Sequence, residues 1–448
     1  MDDMSHAAVS LAGKLSGAVV QPGGAEYEQL RRVWNHDVDM HPALIVLCES
    51  EEDIRRTLEF ARNHELPIAI RGGGHSFAGH GTCDGGVVIN LSRMKNLRID
   101  PRRRRVSVGP GVVGGELDQV TQAFGLALPL GSCPSVGVAG YATGGGEGSL
   151  TPRFGFGCDS MSGARIITAD GAVVTANSAS NGDLFWALRG GGGNFGIVTG
   201  LDFNLHPIEN VLAGHLIYPL KRAEEVLRLV NGFLRGIAPE LYVIATVLPK
   251  PGERMLDIGV VWSGAPQEGE RALRPLREFS APCEDSIKRK RYLEEQQSGS
   301  DSPSDGDWCS FRRAGHMKML DPCAIEAIAR HCAQGPSEYC GISLIYWHGP
   351  WIEKPHDNAF GFRHAGFEYW IHAYWRDGSE RERSHRWVND FHEALRPFST
   401  AAVYVNNLGE DEEGRVADAY GEKYSRLISI KRKYDPDNVF RLNQNVRP

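Results

Sequence analysis

The sequence predicts an α+β protein with a glycine-rich N-terminal part and a later part in which helices cover an antiparallel sheet. Three observations predict it. Short apolar strands alternate with helical stretches up to about residue 205. Glycine, at 53 of 448 residues, is concentrated in three blocks within that part, and seven of the nine tryptophans follow it. At 448 residues the chain exceeds one ordinary compact core, so we expect more than one domain.

Charge and composition exclude several classes of protein. Lysine and arginine number 49 against 56 aspartates and glutamates, and the net charge of −7 argues against a nucleic-acid-binding surface. No run of about 18 apolar residues occurs, which excludes a membrane-spanning helix, and the N-terminus lacks the pattern of a signal peptide. The nine cysteines include no Cys-x-x-Cys pair, so we expect neither a disulfide framework nor a metal site. We therefore expect a reduced, cytoplasmic protein.

The first part shows strands and helices in alternation. Residues 43–47 are an apolar run typical of a buried strand, and Ser50 followed by an acidic turn predicts a helix that reaches about residue 61. Residues 67–70 and 87–91 predict two further strands. Asp170-Gly171 lies between two β-branched runs and predicts the turn of a hairpin over 163–175.

The later part has the pattern of a sheet with helices on one side. Strands are predicted at 241–248, 255–262, 342–347 and 367–375, and helices at 222–235, 325–333 and 384–395. The polar run 298–307 is rich in serine, aspartate and glycine, and we expect it to be the most mobile loop.

The third glycine block contains the letters G-x-G-x-x-G from Gly191 to Gly196. A dinucleotide fingerprint requires a strand before these letters and a helix after them, so that the helix N-terminus faces the pyrophosphate. Here a helix is predicted before them, at 183–189, and a strand after them, at 197–199. This order argues against an NAD-dependent dehydrogenase.

The first and second glycine blocks are the candidate ligand-binding loops. The first runs from Arg71 to His80 directly after a strand, and consecutive glycine amides in a tight turn form a nest for an anion such as pyrophosphate. The second covers residues 131–148. His75 and Cys133 are the soft nucleophiles in these loops. The alternatives are a plain glycine-rich turn and, for Cys133, a small buried hydrophobic side chain.

Five motifs follow one another in a fixed order. They are RGGGHS at 71–76, DGGVVINL at 84–91, G-x-C-x-x-V-G-V at 131–138, DLFWALRGGGGNFG at 183–196 and Y-D-P-x-N-x-F-x-x-N-Q at 434–444. In this arrangement the chain resembles the berberine-bridge-enzyme-like flavoprotein oxidases of the vanillyl-alcohol-oxidase superfamily. The resemblance implies a PCMH-type FAD-binding domain with two α/β subdomains, formed by residues 1–206 and by a returning C-terminal segment, 397–448. Residues 207–396 would form the substrate domain.

The resemblance also implies how the cofactor is held. In that family the histidine matching His75 bonds the flavin 8α-methyl group and the cysteine matching Cys133 bonds C6, which implies bicovalent FAD. Two bonds hold the flavin without a closed pocket, leave an open groove for bulky substrates and raise the reduction potential. The other residues expected to bind the cofactor are Arg71, Gly72, Gly73, Gly74, Ser76, Gly79, His80, Gly131, Ser132, Val136, Gly137, Val138, Gly140, Tyr141, Gly144, Gly145, Gly148, Gly196, Ile197, Val198, Asn406, Asn443 and Gln444.

The chemistry implied is proton abstraction from the substrate, hydride transfer to flavin N5 and reoxidation by O2 with release of H2O2. Family members commonly carry a tyrosine where this chain has Asn407, three residues after Tyr404. Both positions belong to the candidate catalytic set. An amide accepts no proton at neutral pH, so we do not expect Asn407 itself to act as the base.

The strand predicted at 367–375 offers other candidates for the base. Period-2 alternation places Trp370, His372 and Tyr374 on one face. We expect His372 or Tyr374 to act as the base and Trp370 to form a stacking wall. The alternative is that these side chains are only the aromatic face of a packed sheet.

The predicted function is oxidation of a hydroxyl, amine or C–H group of a bulky small molecule, with O2 as the acceptor. Aromatic enrichment suits a saccharide and a polycyclic or aromatic secondary metabolite equally. The alternatives are a flavoprotein cyclase in natural-product biosynthesis and a non-catalytic FAD-binding protein. Peroxide yield per product separates the first alternative from an oxidase, and lack of turnover would identify the second.

Overall fold

The computed structural model describes residues 2–250, 253–279, 281–298, 307–353, 356–361 and 363–448. Its mixture of helices and sheets confirms the predicted α+β class. The strands are β1 (Ala18–Val20), β2 (Leu44–Leu47), β3 (Ile68–Arg71), β4 (Val87–Asn90), β5 (Leu97–Asp100), β6 (Arg105–Val108), β7 (Leu126–Ala127), β8 (Met161–Ile167), β9 (Val173–Asn177), β10 (Ile197–Asn204), β11 (His206–Pro207), β12 (Asn210–Pro219), β13 (Leu241–Lys250), β14 (Glu253–Trp262), β15 (Glu284–Asp285), β16 (Lys288–Arg291), β17 (Cys309–Met317), β18 (Gly341–Trp347) and β19 (Gly366–Trp375). The helices are α1 (Asp2–Ala12), α2 (Tyr27–Arg31), α3 (Glu51–Asn63), α4 (Gly114–Gln122), α5 (Val138–Thr143), α6 (Thr151–Phe154), α7 (Gly157–Ser160), α8 (Gly182–Leu188), α9 (Ala223–Phe233), α10 (Pro266–Glu278), α11 (Tyr292–Ser298), α12 (Pro322–Ala333), α13 (Pro350–Glu353), α14 (Arg381–Leu395), α15 (Val416–Tyr420) and α16 (Tyr424–Tyr434).

The first sheet places the first glycine block. Its strands lie in the order β1-β2-β4-β3, with β2, β4 and β3 parallel and β1 antiparallel to β2. Helix α3 links β2 to β3 and begins, as predicted, after Ser50, whose hydroxyl accepts a hydrogen bond from the Asp53 amide. Strand β3 ends at Arg71, so the glycine loop leaves the sheet at the carboxyl end of a parallel strand, where α/β folds bind ligands.

The second sheet is antiparallel, in the order β5-β6-β10-β8-β9. The predicted Asp170-Gly171 turn lies between β8 and β9, with Gly171 at a φ of +83°. The third glycine block follows helix α8 and precedes strand β10, which confirms that its context is the reverse of a dinucleotide fingerprint.

The largest sheet lies between residues 210 and 375. Its antiparallel strands follow the order β15-β12-β14-β13-β18-β19-β17, and β16 also pairs with β12. Helices α9, α10, α12 and α14 share one apolar core with one face of this sheet. The other face contributes Ala314, Ile345 and Trp347 to the core of the glycine-rich part. The sheet therefore presents one face to the glycine blocks.

Four strands of this sheet, within the described residues, were not predicted: β12, β15, β16 and β17. Strand β12 contains Gly214 near its middle, and β17 contains Arg312 and Arg313, which interrupt the apolar alternation. Arg312 is nonetheless buried. Residues 299–306 of the predicted mobile loop 298–307 lie outside the described residues.

The C-terminal segment returns to the third glycine block. The Asn194 side chain donates to the Gln444 carbonyl at 3.0 Å and accepts from the Val446 amide at 2.9 Å. The Lys431 ammonium donates to the Asn194 carbonyl and lies 2.6 Å from the Asp435 carboxylate, with both side chains fully buried. We call this group of contacts, from Lys431 to Val446 around Asn194, the C-terminal latch.

Within the described ranges, no helix combines the length and the apolar character that crossing a membrane requires. No three His, Cys, Asp or Glu side chains of these ranges converge as metal ligands would. All nine cysteines are unpaired, five of them buried.

Candidate active site

His75 lies in the loop that follows β3, and its ring stacks on the indole of Trp34. The ring centroids are 5.7 Å apart and the planes differ by 24°. Burial and, secondarily, the charge of Arg71 lower the pKa of His75 to about 4. The imidazole is therefore neutral near pH 7, which leaves a ring nitrogen with a free electron pair for bond formation.

The same loop presents a row of amide donors. In the described part of the chain, no oxygen accepts a hydrogen bond from the backbone N–H groups of Gly73, Gly74, His75 or Ser76. Gly74 adopts a φ of +72°, which turns consecutive amides toward the same side. Successive free amides of this kind suit a pyrophosphate.

Gly73 and Gly137 bring the first and second glycine blocks into contact. A Cβ at Gly73 would lie 2.3 Å from the Gly137 nitrogen and 3.0 Å from the Ser135 carbonyl oxygen. Cys133 belongs to the same turn, is partly exposed, and has its Sγ 3.6 Å from the Ser135 hydroxyl. The loops that carry the two predicted attachment residues, His75 and Cys133, therefore touch.

Tyr404 and Asn406 fasten the second glycine block from the opposite side. The Asn406 amide donates to the Tyr141 carbonyl at 3.1 Å and to the Tyr404 hydroxyl at 2.7 Å. The Tyr404 hydroxyl also accepts from the Gly146 amide at 2.8 Å, and the Tyr141 hydroxyl donates to the Glu147 carbonyl at 2.9 Å. Burial raises the pKa of both tyrosines. Tyr404 is thus placed to hold the glycine block rather than to exchange protons.

Close packing explains several of the predicted glycines. A Cβ at Gly144 would lie 1.9 Å from the Asn406 side-chain oxygen, and one at Gly148 would lie 1.9 Å from the Leu130 carbonyl oxygen. The other predicted cofactor residues of this block lie in the turn before α5, in α5 or just after it; they are Gly131, Ser132, Val136, Val138, Gly140 and Gly145.

The ends of the first block are anchored within the protein. The half-buried Arg71 guanidinium donates to the carbonyls of Leu30 and Arg32, and its removal from solvent lowers its pKa to about 10. Burial also lowers the pKa of His80 to about 4, and Gly79, at a φ of +76°, packs against Val38. Gly72 continues directly from Arg71 and packs near the Pro110 carbonyl.

The remaining predicted cofactor residues lie at the third glycine block and the latch. Gly196 packs against the Ile167 carbonyl and directly precedes β10, where Ile197 is buried and Val198 is partly exposed. The Asn443 amide donates to the Gly193 carbonyl at 3.1 Å, and the Gln444 amide donates to the Leu408 carbonyl at 3.0 Å. The side-chain donors of Asn443 and Gln444 are therefore engaged within the protein.

Strand β19 places a polar and aromatic row on the face of the large sheet that meets the glycine blocks. Glu368, Trp370, His372 and Tyr374 alternate with residues that enter the helix-covered core. The Tyr374 ring lies 6.2 Å from that of Trp34, which in turn stacks on His75. The predicted face and the predicted attachment loop therefore meet through Trp34.

His372 is buried in this row. Burial and the charge of Arg312 lower the pKa of His372 to about 3, and its Nδ1 has no hydrogen-bond partner among the described residues. The Arg312 guanidinium donates to the Tyr374 hydroxyl at 3.2 Å and lies over the ring of Phe77. A neutral imidazole with so low a pKa is a weak proton acceptor near pH 7.

Glu368 is the site residue that the sequence did not single out. Its Oε1 accepts a hydrogen bond from the Asn407 amide at 2.6 Å, and its Oε2 is buried without a partner in the described structure. Burial, then the charge of Glu147, raise the pKa of Glu368 well above its usual range. Asn407, which replaces the expected tyrosine, thus orients a carboxyl group. The period-2 alternation that selected Trp370, His372 and Tyr374 includes Glu368, so the signal was available.

Trp34 and Arg312 were also missed. Trp34 is one of two tryptophans before residue 205, and it lies outside the five sequence motifs, so nothing in the sequence marked it. From its charge alone, Arg312 would be placed on the surface. In the structure it is buried and contacts Phe77 and Tyr374. Neither contact can be read from local sequence, because the partners are distant along the chain.

The residues present fit an FAD molecule. The free amides of the first block suit its pyrophosphate, and the glycines of the second block allow backbone to approach a planar ring. The partly exposed Cys133, the neutral His75 ring and the unpartnered buried atoms of Glu368 and His372 lie around the same junction between the glycine blocks and the large sheet.

Comparisons with known proteins identify the same regions. Residues 42–177 match a family model described as an FAD binding domain, and residues 403–447 match one described as berberine and berberine like. The chain is 30% identical over 453 residues to (R)-6-hydroxynicotine oxidase of Paenarthrobacter nicotinovorans, covering 97% of each protein. It is 29% identical over 440 residues to an FAD-linked oxidoreductase of Dictyostelium discoideum, covering 97% of this chain and 95% of that protein.

Solved structures share the fold over almost the whole chain. The 6-hydroxy-D-nicotine oxidase from Arthrobacter nicotinovorans superposes with a TM-score of 0.90 at 29% identity, covering 97% of this chain and 98% of that one. The xylooligosaccharide oxidase from Myceliophthora thermophila, crystallised with xylobiose, superposes with a TM-score of 0.87 at 22% identity, covering 99% of each chain. The second likeness concerns the fold alone.

Proposed function

Because this chain belongs to the berberine-like family of FAD-linked oxidoreductases, we propose that it is an oxidase that holds its FAD by two covalent bonds. The reaction is removal of a hydride from a carbon that bears a hydroxyl or amine group in a bulky small molecule. Bound FAD supplies the hydride acceptor, and O2 is the final oxidant, yielding H2O2. The observation that carries the proposal is the contact between the His75 and Cys133 loops beside the polar face of the large sheet.

His75 and Cys133 are the attachment residues in this proposal. The low pKa of His75 supports it, because only a neutral ring nitrogen has an electron pair to share. The partial exposure of Cys133 and its lack of a disulfide partner support it as well. Trp34, stacked on His75, keeps the imidazole in one orientation.

Glu368 is the proposed proton acceptor, ahead of His372 and Tyr374. Its unpartnered Oε2 lies on the sheet face that meets the flavin loops, and the Asn407 amide fixes the carboxyl group through Oε1. A carboxyl group with a raised pKa accepts a proton near neutral pH more readily than an ordinary carboxylate. Asn407 is a positioning residue in this scheme.

The substrate contacts the exposed part of the same sheet face. Tyr242, Ile244, Thr246 and Trp370 are partly exposed on neighbouring strands of this face. Aromatic and apolar side chains of this kind stack against a sugar ring or an aromatic ring. A bulky saccharide or aromatic metabolite could lie on these partly exposed side chains of the sheet face.

The mode of FAD attachment has a direct test. The purified protein should stay yellow after acid or SDS denaturation, and its intact mass should exceed that of the polypeptide by one FAD. His75→Ala and Cys133→Ala should each retain one bond, so only the double variant should release FAD on denaturation. Recovery of free FAD from the denatured wild-type protein would refute the proposal.

Cys158→Ala is the matched control for the cysteine variant. Cys158 is a buried, unpaired thiol in α7, outside the loops that carry His75 and Cys133. Its replacement should leave both bonds and the added mass unchanged. Anaerobic reduction by candidate saccharides, aromatic alcohols and amines, followed by peroxide measurement on admission of O2, then tests the oxidase reaction itself.

A further inference from the structure

Two buried carboxyl groups lie together beside the large sheet without a cationic partner. Glu368, on β19, is 1% exposed, and Glu147, in the second glycine block, is 5% exposed. Glu368 accepts a hydrogen bond from the Asn407 amide at 2.6 Å, and Glu147 accepts one from the Trp347 indole at 2.5 Å. Both donors are neutral. Within the described structure, neither carboxyl group forms an ion pair.

The register of the sheet brings the two groups to one place. Ile345 lies opposite Glu368, and Trp347 lies opposite Gly366, so the indole that holds Glu147 is a diagonal neighbour of Glu368 on the same face. The charge of Glu147 raises the pKa of Glu368, and burial raises the pKa of Glu147 to about 8. Two carboxyl groups this close cannot both ionise cheaply without a cation.

The charge of Arg312 lowers the pKa of Glu368, but by less than burial and Glu147 raise it. Arg312, on β17, lies opposite His372 rather than opposite Glu368. Its guanidinium donates to the Tyr374 hydroxyl and lies over the ring of Phe77. The other titratable groups around the acid pair are neutral in their ordinary states: Tyr141, Tyr242, Tyr404 and, opposite Glu368 on β17, His316.

Two unpartnered buried atoms point to a missing donor. Glu368 Oε2 has no hydrogen-bond partner among the described residues, and neither has His372 Nδ1, further along the same row and 7% exposed. Once Glu368 is ionised, Oε2 is a buried acceptor without a donor, which is costly, and a ligand that supplies an N–H group removes that cost. Trp370 lies between them, partly exposed, as a flat surface for the body of the ligand.

We propose that the substrate carries a basic amine on the carbon that is oxidised, and that Glu368 and Glu147 bind its ammonium group. This inference rests on the proposed function and narrows its substrate from hydroxyl or amine to amine. A charged hydrogen-bond donor bound to a buried carboxylate is among the strongest polar contacts in proteins. A neutral sugar hydroxyl would leave the acid pair with the charge of Arg312 alone, which forms no ion pair with either carboxyl group within the described structure.

The chemistry balances with the groups named. The bound substrate has a protonated nitrogen joined to a carbon that bears at least one hydrogen. The nitrogen gives one proton to the Glu368 carboxylate, which leaves the neutral amine. Its lone pair then forms the C=N bond while the C–H electron pair leaves as hydride, for which FAD is the acceptor. The product is an iminium ion, which water hydrolyses to a carbonyl compound and an amine after release.

The test compares two probes that differ only in the basic nitrogen, N-methylbenzylamine and benzyl methyl ether, on the intact flavoprotein. Isothermal titration calorimetry in two buffers of different ionisation enthalpy gives affinity and protons released. We expect the amine to bind at least about tenfold more tightly than the ether. Binding should expel about one proton near neutral pH, since the acid pair must ionise.

Variants assign the effect to the acid pair. Glu368→Gln and Glu147→Gln keep oxygen acceptors for Asn407 and Trp347 but cannot ionise, so each should lose most of the preference for the amine. Asp118→Asn is the matched control, because Asp118 is also buried, with a pKa raised to about 7, but is hydrogen-bonded to Gln296 away from the sheet face. It should retain both the preference and the proton release.

Three results would overturn the inference: equal affinity for ether and amine, a preference that survives both glutamine variants, or no amine binding at millimolar concentration. If Glu368→Gln fails to retain flavin, the affinities for amine and ether are compared in Glu147→Gln instead. Failure of the proposed function looks different. If the proposed function failed, no substrate would reduce the flavin, although the protein would still bind the amine more tightly than the ether. Reduction by alcohols without any amine preference would leave the function standing and overturn only the inference.

Discussion

At the scale of single residues, Asn407 and Glu368 show what the sequence can and cannot predict. The alternation of β19 predicted the face, whereas the part that Asn407 plays in the reaction stays a prediction. Glu368 escaped notice because glutamate at the start of a strand is usually exposed. It is buried in the structure, where its hydrogen-bond partner Asn407 lies 39 residues further along the chain. Burial created by distant contacts leaves no local pattern.

The base is testable through its pH dependence. Glu368→Gln should slow anaerobic flavin reduction about 10²- to 10⁴-fold, the usual contribution of a positioned general base. A carboxyl group with a raised pKa is protonated and inactive below that pKa, so the wild-type rate should rise with pH until the group is ionised. The rate in the variant should lack this rise. Stopped-flow absorbance at the flavin band measures both.

His372→Ala and Tyr374→Phe are the comparison variants for the base. The pKa of His372 is about 3, so its ring stays neutral across the working range and its loss should lower the rate without moving the pH profile. Tyr374→Phe removes the acceptor of the Arg312 hydrogen bond and should behave similarly. If either variant abolished reduction while Glu368→Gln kept the wild-type rate and profile, Glu368 would not be the base.

At the scale of elements, the strands and helices with a regular apolar pattern were predictable, whereas the long elements β12, β17 and α10 were not. Strands β2, β3, β4, β13, β14, β18 and β19 and helices α3, α9, α12 and α14 all lie where periodicity and capping residues predicted them. The brief helices α5, α6 and α7 were missed because they wrap the second glycine block and are stabilised by tertiary contacts. The contact between the two glycine loops was likewise beyond local sequence, although the glycines themselves marked it.

The closeness of those loops predicts the effect of Gly73→Ala. A Cβ at this position would lie 2.3 Å from the Gly137 nitrogen, so the two loops must separate. We expect a loss of about 1–3 kcal/mol in the free energy of unfolding, as for an overpacked core, and a marked fall in flavin content. Thermal denaturation and the ratio of flavin to protein absorbance measure the two effects.

Gly182→Ala is the matched control for that substitution. A Cβ at Gly182, in the first turn of α8, would meet nothing within 4 Å. Alanine favours helix there, so stability and flavin content should be unchanged or slightly higher. A Gly73→Ala protein with full flavin content and wild-type stability would show that the loops do not need this close approach.

At the scale of the whole molecule, composition predicted where the large sheet begins better than it predicted the contacts of the C-terminal segment. The change near residue 205 precedes the large sheet, which starts at Asn210. That the domains are bounded near residues 206 and 397 stays a prediction. The ion pair within the latch could not have been predicted, because a lysine and an aspartate four positions apart usually form an exposed helical pair. Here both are fully buried, since Phe440 and Asn194 enclose them.

The latch should be essential for stability. Asp435→Asn leaves the Lys431 ammonium buried without its counter-charge, and we expect a loss of about 3–5 kcal/mol in the free energy of unfolding. Denaturant titration of the flavoprotein measures it. Glu326→Gln, in the exposed pair with Arg228, should change little. An Asp435→Asn protein as stable as the wild type would mean that the latch is dispensable.

The latch also has a consequence for the order of events in biosynthesis. Asn194 gains its partners Gln444 and Val446 only after the ribosome has added some 250 further residues, the entire large sheet included. The core around the third glycine block includes Val446 and is incomplete until then. Completion of this core must therefore follow synthesis of residues 431–446, and an N-terminal part made without them lacks both Val446 and the partners of Asn194.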